Sequence, residues 1–236
     1  MMKGLFCAAM IWGACVYTQA QSLLPPVWQQ ENRQPVQYSS RTIAYLPPTR
    51  IVWQEATGSS SIEGIDKLLL SGNGQAELVG GKECVIKKRP DGKVSFLLDF
   101  GRELQGGIQI VTGQSSRKEV KARIRFGESV SEAMCDITPE NGATNDHAIR
   151  DFHFTLPWLG VAEIGNSGFR FVRIDVEEAD VDFLLKEVRA TFGYRDIPYL
   201  GSFRSSNERL NDIWMTGAYT VHLADLILIP SIVILP

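Results

Sequence analysis

The sequence predicts a mainly β protein: an antiparallel β-sandwich of jelly-roll type, followed by one C-terminal amphipathic helix. Three observations predict it. From Glu83 to Phe192, apolar residues recur with period two in runs separated by Gly-rich turns. Such alternation leaves one face dry and one wet, as antiparallel sheets do, and its near-regular spacing fits a sandwich. From Ser205 onward the period becomes helical. A chain of 236 residues, 44% hydrophobic and 22% charged, has the size and composition of an ordinary globular protein with a real core. Its net charge of −3 and lack of a basic stripe exclude nucleic acid as the expected partner.

Residues 1–20 read as a signal peptide. Lys3 supplies the positive end, an apolar run extends from Gly4 to Val16, and Thr18 and Ala20 sit at the −3 and −1 positions of a small-residue exit. The run is too short to span a bilayer. The expected destination is the periplasm or the exterior. The alternative is a lipoprotein signal acylated at Cys15, which Trp12 fits poorly. Two of the four cysteines fall in this leader, and Cys84 and Cys135 read as buried thiols rather than a disulfide scaffold.

Residues 21–49 read as an extended lead-in, punctuated by Pro25-Pro26, Pro35 and Pro47-Pro48. The sandwich is expected over 50–197. "RIVWQEA", from Arg50, should be an edge strand. "SFLLDF" points Phe96, Leu98 and Phe100 inward. "KARIRF" points Ala122, Ile124 and Phe126 inward and Lys121, Arg123 and Arg125 outward. "HAIRDFHFTL" points Phe152, Phe154 and Leu156 inward, with Asp151, His153 and Thr155 outward. "CVIKKRPDGKVSFLL" reads as a hairpin turned by Pro90-Asp91-Gly92.

Residues 198–223 read as a linker and a helix. Leu210, Ile213, Trp214, Gly217, Ala218 and Val221 form an apolar stripe, with Ser205 and Glu208 as a capping box. A helix opening after a completed sandwich signals a second, helical domain. Residues 224–236 are instead an apolar tail, too short for a membrane span. Helix and tail together are expected to promote self-association.

Candidate chemistry is sparse. Arg125, Glu128 and Glu132 sit in "RIRFGESVSEAM". His147, Asp151 and His153 share one strand face by even spacing. Two imidazoles and a carboxylate could hold a metal, but this spacing is not a specific metal signature, so no metal or cofactor is expected. Glu128, Asp151 and His153 are the candidate carbohydrate contacts; the alternative is a solvated polar face. No nucleophile elbow, zinc-helix motif or P-loop is present. With 27 acids in the chain, spacing cannot nominate a glycosidase carboxylate pair.

Five phrases in order, "LLDFGRELQGGIQI", "ARIRFGESVSEAM", "ATNDHAIRDF", "SGFRFVRIDV" and "GSFRSSNERLNDIWMTGAYTVHL", resemble the ancillary and early region of bacterial α-L-rhamnosidases. The resemblance runs from about Pro48 to Leu223. It implies an inverting glycoside hydrolase acting on rhamnose-containing glycans, with a sandwich preceding a six-hairpin α/α barrel. The helix then resembles the barrel's first. The expected next text, of the type "DGxKRDR", is replaced after Leu223 by "ADLILIPSIVILP". No residue matches the family's general acid or base, so the chain is expected to be an inactive N-terminal fragment without the catalytic domain. A free-standing secreted carbohydrate-binding sandwich is the alternative. A complete small enzyme ranks last, since one sandwich supplies few cleft walls.

Overall fold

The computed structural model describes residues 41–78, 83–117, 119–137, 150–196 and 199–224. The leader, His147 and residues 225–236 of the apolar tail lie outside the described residues, while Ala224 is the last residue of the C-terminal helix. Nine strands occur among those described. They are β1 (Arg41–Leu46), β2 (Arg50–Ala56), β3 (Ser61–Glu63), β4 (Cys84–Lys88), β5 (Val94–Ser115), β6 (Glu119–Gly127), β7 (Asp151–Pro157), β8 (Gly160–Val176) and β9 (Val181–Arg195). Two α-helices are also described, α1 (Val130–Met134) between β6 and β7 and α2 (Glu208–Ala224) after β9, with a 3-10 turn over Ile65–Leu69.

All pairings are antiparallel, and the long strands β5 and β8 run through both layers of the sandwich. The front layer holds β2, the first part of β5, the last part of β8, then β6 and β7. The back layer holds β3, β4, β9, the rest of β5 and the start of β8, with β1 on the end of β9. The β5–β8 register breaks between Asp99 and Leu104 and again between Gly106 and Ile108. Here the backbone needs glycine. Gly165 has φ +84, and a Cβ on it would come within 2.7 Å of the Phe126 ring. Asp99 secures the same bend. Its carboxylate accepts from Gly101 N at 2.8 Å, from Arg170 at 2.8 and 3.1 Å, and from Arg50 at 2.8 Å. Burial pushes this carboxyl's pKa up, but those hydrogen bonds outweigh it and hold it below the usual range.

The inward positions carry the core as the alternation predicts. Phe96, Leu98, Ile108, Ile110, Ala122, Ile124, Phe126 and Val188 are sealed from solvent in one cluster. Phe126 meets Phe169 and Phe152 edge-on, at 5.1 and 5.8 Å between ring centres. Phe152 and Phe154, on edge strand β7, are only partly buried. Cys84 and Cys135 are unpaired, and burial pushes the Cys84 thiol up to about 12.

Several local expectations are corrected. β4 and β5 do not form a hairpin: β4 pairs with β3 and β9, β5 with β2, β8 and β9. The Pro90-Asp91-Gly92 turn crosses between layers beside the β2–β3 turn. Asp91 accepts from Ser59 N and Oγ at 3.0 Å, and Thr57 N donates to Lys93 O at 3.0 Å, so each crossing holds the other. β1 forms within the segment expected as a lead-in, because the end of β9 offers it a free edge. Arg125, expected on a wet face, is 5% exposed. The capping residue of α2 is Asn207 rather than Ser205. The Asn207 side chain accepts from Arg209 N at 3.0 Å, and Ser205 Oγ accepts from Asn207 N at 3.2 Å. The side chain and carbonyl of Asn207 together satisfy the first free amides, so the helix opens two residues late for the Ser205–Glu208 box.

Candidate functional site

Polar side chains gather in three places. The first is the outer face of the front layer. β6 lies between β7 and β8, with Arg125 opposite Asp151 and Arg173, and Arg123 opposite His153 and Asp175. Alternation puts all of these on one face, where they form diagonal ion pairs. Arg123 grips Asp151 with two hydrogen bonds, at 2.8 and 2.5 Å. Arg125 donates to Asp175 at 2.7 Å and to Asp136 at 3.0 Å. Ser95 and Arg173 also donate to Asp175, at 2.6 and 2.9 Å. Burial raises the Asp175 pKa, but its three donors more than offset that and hold the carboxyl below the usual range. Arg173 also lies over the Trp53 ring, 5.3 Å from its centre. Beside this network α1 covers Leu97 and Phe171 as a small second core. A groove of about 310 Å³ opens along the face.

The second place is a niche at the end of β6, over Gly168. A side-chain carbon on Gly168 would meet Glu103 Oε1 at 2.8 Å and Glu128 Oε1 at 3.7 Å. Both carboxylates therefore converge on the space that glycine leaves. Arg150 flanks them, 4.0 Å from Glu128 and in contact with Glu132. Burial first, and the Glu128 charge second, push the Glu103 carboxyl up to about 7, against the pull of Arg150 and Arg170.

The third is the seat of α2. Tyr219 Oη donates to the Glu103 carbonyl at 2.6 Å, and Arg102 lies over the same ring. His222 packs against Tyr194 and Tyr199. The half-buried positions of α2 are Asn211, Trp214, Ala218, Tyr219, His222, Leu223 and Ala224. The predicted stripe therefore splits. Trp214 and Ala218 are half-covered, while Leu210, Ile213 and Val221 stay 45%, 59% and 70% exposed.

Among the sequence candidates, Asp151 and His153 do share a face. Asp151 is committed to Arg123, and the exposed His153 to Glu177 at 2.9 Å. Glu128 belongs to the niche instead, and Arg125 joins the outer-face network. No group of three or more metal-ligating side chains occurs among the described residues. The sequence reading missed Glu103, Arg173 and Asp175. Their even spacing on β8 could have nominated Arg173 and Asp175. Nothing local marks Glu103, whose character comes from burial and distant neighbours.

No protein-family model matches the chain, and no curated protein sequence does. Solved structures resemble it. A rhamnosidase from Klebsiella oxytoca with rhamnose bound superposes with TM-score 0.51 and 16% identity, over 78% of this chain and 35% of that one. A GH78-family rhamnosidase of Bacillus sp. GL1 reaches 0.48 at 21% identity, over 62% and 15%. A fucose-binding module of Streptococcus pneumoniae reaches 0.38 at 11%, over 59% and 91%. At these identities a likeness is one of fold alone, and the last two superpose too loosely to carry any argument. The chain spans about a third of the length of the Klebsiella enzyme. The chain thus shares its fold, over 78% of its length, with part of a rhamnosidase.

Proposed function

We propose that the chain is the non-catalytic sandwich region of an α-L-rhamnosidase-like hydrolase, with α2 as the first helix of the catalytic domain. The parent enzyme would hydrolyse terminal α-L-rhamnosides of a glycan with inversion, after export by the leader. One observation carries this reading: α2 is pinned to the sandwich by Tyr219 and His222, yet turns Leu210, Ile213 and Val221 outward. A helix of this length is marginal in water without a packed face, so the open stripe suits a neighbouring helix of a larger domain. Where that domain is lacking, the same stripe would drive self-association.

The purified chain should release no rhamnose from an aryl α-L-rhamnoside above a heat-killed control. Turnover that survives repurification and disappears in Glu103→Gln would overturn the reading. It would make Glu103 and Glu128, which converge over Gly168, an acid–base pair.

A further inference from the structure

The outer-face groove holds more polar chemistry than a covering network needs. Five basic and four acidic side chains line it, and Asp151, bound to Arg123, completes the balance. Its arginines and aspartates are paired with one another, so the lining offers donors and acceptors without a net field. That composition disfavours phosphate, which needs unneutralised positive charge. It also disfavours an apolar ligand, because drug-like sites are mostly apolar.

Capacity remains unused. Arg125 is 5% exposed, and its Nε has no hydrogen-bond partner among the described residues. That atom is sealed under the groove floor, so Arg125 holds the floor through Asp136 and Asp175 while other groups face the opening. Glu55, half-buried on β2, makes no hydrogen bond or ion pair among the described residues. Arg173 Nη1 touches only the sulfur of Met134, at 3.6 Å. Met134 gives the groove an apolar spot beside these groups.

We infer that the groove between Glu55, Ser95, Arg125, Met134, Arg173 and Asp175 binds a neutral, polyhydroxylated saccharide unit. Its hydroxyls donate to Glu55 and accept from Arg173, and a C–H face rests on Met134. The Trp53 ring is already occupied by Arg173, so recognition runs through hydrogen bonds rather than ring stacking. The site lies apart from Glu128 and the α2 seat. It requires no turnover, so the sandwich could bind sugar whether or not the parent activity is that of a rhamnosidase.

The test is titration of the full chain with L-rhamnose, D-galactose and D-mannose, followed by calorimetry and NMR shift mapping. Inorganic phosphate and D-glucuronate serve as charged counter-probes. At least one neutral sugar should bind saturably, with shifts confined to the groove. Glu55→Gln, a change at a half-exposed edge position, should weaken binding about tenfold without moving the melting temperature. Ser95→Ala provides a second variant should Glu55→Gln perturb the fold. Three results would overturn the inference: no saturable binding of any neutral sugar, tighter binding of phosphate or glucuronate, or shifts mapping elsewhere. None of these outcomes bears on the aryl rhamnoside assay, so the two readings can fail separately.

Discussion

The sandwich and helix α2 use similar side chains to opposite ends. Phe126, in the sandwich, is 1% exposed and touches two other rings, whereas Ile213, in α2, is 59% exposed. No residue of α2 is fully buried. The sandwich finds its apolar partners within itself: β5, β6, β8 and β9 all feed one core. Among the described residues the helix finds a ledge, made of Arg102, the Glu103 carbonyl and the rings of Tyr194 and Tyr199. Apolar periodicity therefore reports that a face will be covered, not by what. In a strand the covering layer is encoded in the same stretch of chain. For this helix no such layer lies among the described residues.

The sharpest way to break that contrast is to attack the sandwich core. Phe126→Ala should cost ~3–5 kcal/mol, because it leaves a cavity against Phe169 and Phe152 that rigid strands cannot close. Phe154→Ala should cost clearly less, since β7 is an edge strand and that ring is half-covered. Urea melts of both variants check the ranking. Equal losses would mean that β7 is packed from outside by something the contrast omits.

What the sequence revealed follows the same division. Period-two alternation identified β5, β6 and β7 and their inward residues, because burial on one face imposes it directly. It could not tell a hairpin from a crossover at Pro90-Asp91-Gly92, since both need the same turn residues. It missed the burial of Arg125, which depends on Asp136 and Asp175 meeting it from other parts of the chain. It placed the helix but not its cap, because Ser205 and Asn207 are both competent and the backbone chose the nearer. At the candidate site, Asp151 and His153 were found together by spacing. Glu103 was invisible, because burial and Glu128 create its chemistry.

A second test probes the junction of the two regions, where Glu103 sits beside Glu128, Arg150 and Arg170 and its carbonyl holds Tyr219. An unfolded Glu103 titrates near 4.5, whereas the folded one holds its proton up to about 7. Between those values the folded state binds a proton that the unfolded state has released, so stability falls as pH rises from about 4.5 to about 7. The effect is fully present as stabilisation below the lower value and gone above the upper. Asp99 and Asp175, with lowered values, act in the opposite sense at more acidic pH. Glu103→Gln should remove the fall across that window while leaving the acid limb intact. An unchanged slope in the variant would assign the window to another group.

The smallest expected effect on stability is the most telling about α2. Ile213→Ser and Val221→Ser replace side chains that are 59% and 70% exposed and face away from Tyr219 and His222. Surface changes of this kind usually stay within about 0.5 kcal/mol, so the melting temperature should hardly move. Association should move instead. Exposed apolar side chains on one helix face bury one another when two copies meet, and each removed from that contact forfeits ~1.5–3 kcal/mol of burial. The parent chain should therefore elute larger, or spread with concentration, in size-exclusion chromatography, and the double variant should elute smaller. If the double variant instead loses several kcal/mol and elutes unchanged, those side chains are already buried within one molecule. The helix would then be a finished part of the core, and the contrast with the sandwich would vanish.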